Sequence, residues 1–264
     1  MSQPEAGNNE VSSRLEILES GTGHGSLTIQ LARAIHAANP PPVLFNAGRE
    51  WRKAGLPAAT PAKDHNLQEL EEKLKSRAQK RHAVVHTVEI SDRYSRFAAR
   101  FVRNFRSGIY YGDVDFHVGC VSEWIKTQFR ERQSEHAFLD HVLLDMPGAA
   151  DHLALGAKAL KANGCLTVFF PSISQVAKCF TKVKREDLPL WLDKVIEIDN
   201  STAGGRYWDV RLAKIRANAV SNETPRDDQS MANDEKEPDL VCRPEFGFDR
   251  LGTCFVGLFQ RKAI

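Results

Sequence analysis

The sequence contains few cysteines, and none of them form a C-x-x-C pair. Its 264 residues include five cysteines, at positions 120, 165, 179, 242 and 254. An odd and widely spaced set predicts neither a disulfide framework nor a zinc knuckle, and it favours a reducing intracellular compartment. We therefore expect no structural metal in this chain.

Long apolar runs and a strong excess of one charge are also missing. The longest apolar stretches, such as residues 165–171, are far shorter than the ~20 residues that a membrane-spanning helix needs. Residues 1–14 are polar, lack the features of a signal peptide and are expected to be disordered. With 36 basic and 34 acidic residues the net charge is only +2, so nucleic-acid binding would require a local basic patch.

Apolar strands and amphipathic helices alternate along the chain. This pattern predicts one α/β domain over residues 15–264, with a largely parallel sheet covered by helices on both faces. Residues 39–81 interrupt the alternation as an insertion, and the acidic residues 217–239 are expected to form a mobile loop. The predicted strands are 15–19, 82–90, 114–118, 137–145, 164–170, 192–198, 207–216 and an antiparallel 252–260, and the predicted helices are 27–35, 66–80, 92–106, 121–133, 152–162 and 174–184.

The first strand runs into a glycine-rich turn, E-S-G-T-G-H-G, from Glu19 to Gly25. Three glycines let the backbone pass close to a ligand, although such turns also occur as plain structure. The spacing is not the G-x-G-x-x-G of dinucleotide-binding folds, which disfavours a dehydrogenase. An acid before the glycines disfavours a pyrophosphate and suits a ligand with an ammonium and a sulfonium, such as S-adenosylmethionine.

Two further acids end predicted strands. Glu89 ends the second strand, where a carboxylate can accept two hydrogen bonds from ribose hydroxyls. The alternative for Glu89 is a solvated strand-end acid. Asp145 ends the fourth strand, at the carboxyl edge of the sheet where α/β proteins bind ligands. The alternative for Asp145 is an ordinary helix N-cap.

The helix predicted after Glu89 carries two patterns. Tyr94, Phe97, Ala98, Phe101 and Phe105 recur at helical spacing and are predicted to face the core. Arginines at 93, 96, 100 and 103 form a second stripe, which is either a solvated face or a set of phosphate contacts. His82 and His86 lie on a strand and are expected to be ordinary histidines.

Five segments, in order, resemble the catalytic subunit of the tRNA adenine-58 N1-methyltransferase, a class I S-adenosylmethionine-dependent enzyme. They are LEILESGTGHGSLT, TVEIS, VDFHVGCVSEWI, HVLLDMP and FFPSISQV, and the ending from CRPEFGFDR onward is similar to the fungal branch. The resemblance implies a Rossmann-like, seven-stranded, mostly parallel sheet and N1-methylation of an adenine in the tRNA T-loop. It also implies a non-catalytic paralogous subunit in a hetero-oligomer and a nuclear location, with the mitochondrion as alternative. Family members begin with a β-rich domain, and only fourteen residues precede Leu15 here, so we expect that domain to be missing.

The resemblance also implies roles for individual residues. Asp145 would be the catalytic residue, lying between cofactor and target base and stabilising the positive charge that develops on adenine. Cys120 stands where family members commonly carry aspartate, which keeps open a non-catalytic, methyltransferase-like subunit as the alternative. The implied cofactor-binding residues are Glu19, Gly21, Thr22, Gly23, Gly25, Ser26, Glu89, Arg93, Cys120, Val121 and Asp145, and the implied substrate residues are Pro147, Phe170, Pro171, Ser172 and Gln175.

Overall fold

A computed structural model describes residues 14–44, 65–198, 208–213, 239–244 and 254–263. Seven strands form one sheet in the order β3-β2-β1-β4-β5-β9-β6, and β9 is antiparallel to both of its neighbours. The other pairs in this sheet are parallel. The predicted architecture, a seven-stranded and mostly parallel sheet with an antiparallel last strand, is confirmed. The strands are β1 Leu15–Ser20, β2 Ala83–Glu89, β3 Val114–Val118, β4 Leu139–Leu144, β5 Leu160–Phe170, β6 Leu190–Ile198 and β9 Cys254–Arg261, and a separate pair comprises β7 Trp208–Ala213 and β8 Asp239–Pro244.

Helices cover both faces of the sheet, because the central strands are apolar on both sides. Every residue of β2 is buried, as parallel strands between two helical layers require. One core lies under α1 and α3, and a second lies under α4, α5 and α6. The helices are α1 Ser26–Ile35, α2 His65–Gln79, α3 Asp92–Asn104, α4 Val121–Glu131, α5 Leu153–Ala159 and α6 Ile173–Arg185.

The charged helix predicted in the insertion is present as α2, and its single arginine anchors it to the domain. Arg77 is buried and its Nη2 donates to Asp113 Oδ1 at 2.6 Å. Asp113 also accepts from the Asn39 side-chain amide at 2.7 Å. The tip before residue 14, residues 45–64 of the insertion, the last three residues of the strand predicted over 207–216 and residues 217–238 of the acidic loop lie outside the described residues.

The prediction that the aromatic stripe of α3 faces the core is wrong. The buried side chains of α3 are Ser95, Ala98 and Val102, whereas the rings at positions 94, 97 and 101 are 47%, 42% and 41% exposed. Small residues take the inner face because α3 packs directly on the glycine turn: a Cβ on Gly25 would lie 3.2 Å from the Ala98 Cβ. Of the predicted set, Ala98 is buried and Phe105 is partly buried against the core.

The boundary between α5 and β5 also differs from the prediction. The helix predicted over residues 152–162 ends at Ala159, and the strand begins at Leu160 rather than at residue 164. The register of the β4–β5 pair shifts between Leu139 and His141. The start of β5 therefore pairs irregularly, and its polar residues show no strand pattern in the sequence. Within the described ranges, no helix is both long and apolar enough to span a membrane.

Candidate active site

A cavity of about 560 Å³ opens at the carboxyl ends of the central strands. This volume lies within the range typical of small-molecule sites, and the edge is the one at which α/β sheets bind ligands. Its walls come from the glycine turn, the ends of β2 and β4, the turn before α4, and the start of α6.

The glycine turn approaches Asp145 so closely that a side chain would not fit. A Cβ on Gly21 would lie 1.9 Å from the Asp145 carbonyl oxygen, and the Asp145 amide donates to the Ser20 carbonyl at 2.8 Å. Gly21, Gly23 and Gly25 all adopt positive φ, at 94°, 52° and 83°, a region that favours glycine. The turn and the end of β4 therefore form one packed unit.

The Glu19 side chain forms hydrogen bonds beside this turn. It is fully buried and accepts hydrogen bonds from Thr28 Oγ1 at 2.6 Å and Thr87 Oγ1 at 2.7 Å. The Thr87 hydroxyl in turn accepts from Thr22 Oγ1 at 2.6 Å, which ties the turn to β2. Burial raises the pKa of Glu19 to about 7, with smaller contributions from the charges of Asp145 and Glu89.

Glu89 lies on the cavity wall and binds the turn directly. Its Oε2 accepts from the Gly23 amide at 3.2 Å, and its Oε1 accepts from the Ser91 amide at 3.1 Å. Each carboxylate oxygen can accept more than one hydrogen bond. The carboxylate is therefore held in place by backbone groups and can still accept hydrogen bonds from a ligand.

Asp145 lines the cavity next to the glycine turn, and desolvation raises the pKa of its carboxyl. It is not the N-cap of a helix. The helical turn that follows begins at Ala149 with Gly148 in the cap position, and α5 begins only at Leu153. The N-cap interpretation of Asp145 is thus wrong, and its side chain is not committed to that structural role.

Phe170 from the end of β5 and Gln175 and Lys178 from α6 also contribute to the cavity wall. His152 also lines the cavity, and its Nδ1 lies 2.6 Å from Ser122 Oγ. Desolvation lowers the pKa of His152, which favours a neutral imidazole on this wall.

Several of the expected site residues converge on this cavity. They are Gly21, Gly23, Glu89, Cys120, Val121, Asp145, Pro147, Phe170 and Gln175. The expected cofactor residues Glu19, Thr22, Gly25, Ser26 and Arg93 and the expected substrate residue Pro171 do not line it. Of these, Glu19 and Thr22 stabilise the turn through the hydrogen bonds described above.

Ser172 is also away from the cavity wall, and it anchors β8 instead. It is fully buried, and its Oγ donates to the Cys242 carbonyl at 2.5 Å while accepting from the Cys242 amide at 2.9 Å. Ser174 Oγ donates to the Leu240 carbonyl at 2.5 Å. The serines at the start of α6 thus connect the main sheet to the small β7–β8 sheet.

The cavity wall also includes residues that the sequence patterns did not indicate, among them His24, Tyr94, Met146, His152 and Lys178. His24 lies inside the glycine turn, and Lys178 lies one helical turn beyond Gln175. Both could have been predicted as site residues because they are next to residues that were. His152 and Tyr94 had no such signal, because their exposure to the cavity depends on how the helices pack.

The strand order and the position of the cavity define an α/β domain with a seven-stranded, mostly parallel sheet and a cavity at the carboxyl ends of its central strands. No protein-family model matches the chain. Two curated proteins, the tRNA (adenine(58)-N(1))-methyltransferases TrmI from two strains of Thermus thermophilus, are each 26% identical to it over 198 residues. The alignment covers 75% of this chain and 53% of each relative, so the chain spans about half the length of the curated relatives it matches.

Solved structures with a similar chain path include an S-adenosylmethionine-dependent O-methyltransferase from Thermotoga maritima. It is 14% identical, with a TM-score of 0.48 and coverage of 96% of this chain and 61% of that chain. A tRNA methyltransferase TrmI from Aquifex aeolicus is 13% identical, with a TM-score of 0.43 and coverage of 95% and 63%.

Proposed function

We propose that this chain transfers a methyl group from S-adenosylmethionine to N1 of adenine 58 in the T-loop of tRNA. The observation that carries the proposal is the convergence of the glycine turn, Glu89 and Asp145 on one cavity. The names of the two Thermus relatives and the resemblance of the motifs to the catalytic subunit, including its fungal branch, supply the choice of substrate.

The residues around the cavity fit a cationic cofactor. Glu19, Glu89 and Asp145 cluster closely enough that the charges of Asp145 and Glu89 raise the pKa of Glu19. Glu19 Oε1 is buried and accepts no hydrogen bond from any described residue. A ligand with an ammonium and a sulfonium would relieve this repulsion between carboxylates, whereas a pyrophosphate would add to it.

The chain's own residues have separate tasks in this proposal. The turn from Gly21 to Gly25 would hold the methionine part of the cofactor, and Glu89 would accept hydrogen bonds from its ribose hydroxyls. When bound, S-adenosylmethionine supplies an electrophilic methyl group on a cationic sulfur. Asp145 would lie between the cofactor and the base, and Phe170, which also lines the cavity, would receive the face of the adenine.

Asp145 acts by position and charge, and it forms no covalent bond to the substrate. The lone pair of adenine N1 is free, so no general base is needed to expose it. Methylation leaves a positive charge on the ring, which a carboxylate in a partly desolvated site stabilises as it develops. Because N1 lies on the Watson–Crick edge, the adenine must leave its stack before it enters the cavity.

The test is transfer of labelled methyl from S-adenosylmethionine to tRNA, followed by mapping of the modified base. The expected result is a single modified adenine at position 58, and a tRNA with guanosine at that position serves as the matched control. Label on the control tRNA at the wild-type level, or at another base, would contradict the assignment of the substrate.

A non-catalytic methyltransferase-like subunit is the second candidate. Cys120 favours it, because this uncharged residue lines the cavity where the resemblance implies a carboxylate. Titration with S-adenosylmethionine and NAD separates the candidates when it is combined with the transfer assay. Binding of S-adenosylmethionine without transfer, with the partner subunit present, identifies the non-catalytic subunit, whereas binding of NAD alone contradicts both.

The partners we propose are tRNA and a non-catalytic paralogous subunit, and the location we propose is the nucleus, with the mitochondrion as alternative. Affinity purification of the tagged chain from its own cells tests the partner, because a paralogous subunit should co-purify in stoichiometric amount. Imaging of a fluorescent fusion tests the location.

A further inference from the structure

Helix α3 exposes an aromatic face that its amphipathic pattern alone would place in the core. Tyr94, Phe97 and Phe101 lie at i, i+3 and i+7, so they form one stripe along the helix, and each ring is more than two-fifths exposed. Large aromatic side chains exposed in a row are a mark of an interaction surface.

The neighbouring stripe of the same helix is basic. The thirteen residues of α3 contain four arginines and one aspartate, a local excess of three positive charges in a chain whose net charge is +2. Arg93, Arg96 and Arg100 are exposed, and Asp92 pairs with Arg96. Arg93 and Arg100 lie about 10 Å apart along the helix axis, since the rise is about 1.5 Å per residue.

This aromatic and basic face is continuous with the candidate active site. The His24 ring, which lines the cavity, packs edge-on against Phe97 at 5.6 Å and lies 6.4 Å from the Tyr94 ring. Tyr94 itself lines the cavity, and the Arg100 guanidinium lies 5.6 Å from the centre of the Phe97 ring. The face therefore leads from the cavity mouth along the outside of α3.

We propose that this face of α3 binds RNA, with unpaired bases stacking on Phe97 and Phe101 and phosphates contacting Arg93 and Arg100. Interleaved aromatic rings and arginines are the side chains that bind unpaired nucleic acid. The local excess of three positive charges on this helix is complementary to the phosphate backbone of a nucleic acid. The proposal rests on the proposed function, because the RNA is the tRNA whose adenine enters the cavity.

The experiment measures the affinity of the full 264-residue chain for unmodified tRNA by fluorescence anisotropy at several salt concentrations. Phe97→Ala and Phe101→Ala should each weaken binding about tenfold, because stacking of one base on an aromatic ring is worth that much by alanine substitution. Phe180→Ala is the matched control, since Phe180 is 38% exposed on α6.

The charge component is tested separately. Replacing Arg93 and Arg100 together by Gln should lower the slope of log K against log salt by about 1.5, because two phosphate contacts are lost. The matched control is the Lys126→Gln, Arg130→Gln pair on α4, whose side chains are exposed and lie on a helix outside the proposed surface. That pair should leave the slope unchanged.

Phe97→Tyr and Phe97→Leu distinguish an RNA surface from a protein surface. Stacking survives in the tyrosine variant and is lost in the leucine variant, whereas a protein contact would tolerate leucine. Titration with S-adenosylmethionine and thermal melting should give wild-type values for the Phe97 and Phe101 variants, which shows that the fold and cavity are intact.

These measurements separate failure of the RNA surface from failure of the proposed function. If wild-type protein methylates adenine 58 and the variants of the face bind tRNA as wild type does, the RNA surface is wrong and the proposed function stands. If the variants keep tRNA affinity but lose a protein subunit, the face is a protein surface and the inference is also overturned. If wild-type protein neither binds nor methylates tRNA, both proposals fail.

Discussion

Replacing Gly21 by alanine should damage the site far more than the same change at Gly23, two residues away. Both glycines have positive φ, which costs an alanine about 1–2 kcal/mol. A Cβ on Gly23 meets only the Gly21 carbonyl oxygen at 4.0 Å, whereas a Cβ on Gly21 would lie 1.9 Å from the Asp145 carbonyl oxygen. The second contact can be relieved only by moving the turn and the end of β4 apart.

The size of that movement sets the expected effect. Restoring an ordinary contact of ~3.4 Å from 1.9 Å requires a displacement of about 1.5 Å between the turn and Asp145. A misplacement of about 1 Å can cost a hundredfold in rate, so Gly21→Ala should lower methyl transfer at least a hundredfold.

The assay compares both variants by thermal melting, titration with S-adenosylmethionine and methyl transfer to tRNA. Gly23→Ala should melt a few degrees below wild type, as expected for about 1–2 kcal/mol in a chain of this size, and it should lose much less transfer activity than Gly21→Ala. Gly21→Ala should melt lower still and lose transfer. Equal behaviour of the two variants would refute the reasoning, because the close approach to Asp145 would then be unimportant.

Three further predictions concern charged side chains. Glu89→Ala should weaken S-adenosylmethionine binding at least tenfold, since charge-assisted hydrogen bonds are worth about 1.5–3 kcal/mol each; unchanged affinity in calorimetry would contradict the ribose assignment. Asp113→Ala should destabilise the fold by about 3–5 kcal/mol, because it leaves the buried Arg77 guanidinium without its carboxylate, and a denaturant midpoint equal to wild type would contradict this. The pKa of Glu19 is raised from 4.5 to about 7, so ionisation of this carboxyl should lower the free energy of unfolding by about 3 kcal/mol as the pH rises from about 4.5 to 7. Glu19→Gln should remove that decline. Curves of unfolding free energy against pH that run parallel for the two proteins would contradict this prediction.

The parts of the fold that the sequence predicted are those with strong local patterns. The mostly apolar run of β2 is typical of a buried strand, and the three glycines after β1 are typical of a tight turn. The antiparallel β9 could be inferred because no helix separates it from the preceding segment. The acids Glu89 and Asp145 were found because parallel strands place their carboxyl ends at one edge of the sheet.

The parts that the sequence did not predict depend on packing between distant segments. The orientation of α3 is set by the close approach of Ala98 to Gly25, and hydrophobicity favoured the aromatic stripe over the small residues that in fact face inward. Likewise, the hydrogen bonds of Ser172 to β8 join residues that are 70 positions apart, which no local motif reveals.

The central claim is that Asp145 stabilises the charge that develops on the methylated adenine. The most direct measurement is the methyl-transfer rate of Asp145→Ala beside its affinity for S-adenosylmethionine, with tRNA and the partner subunit present. The rate should fall a hundredfold or more, about 3 kcal/mol by analogy with the loss of one oxyanion-hole donor, while cofactor affinity and melting temperature stay near those of wild type. An Asp145→Ala protein that methylates adenine 58 as fast as wild type would contradict the account.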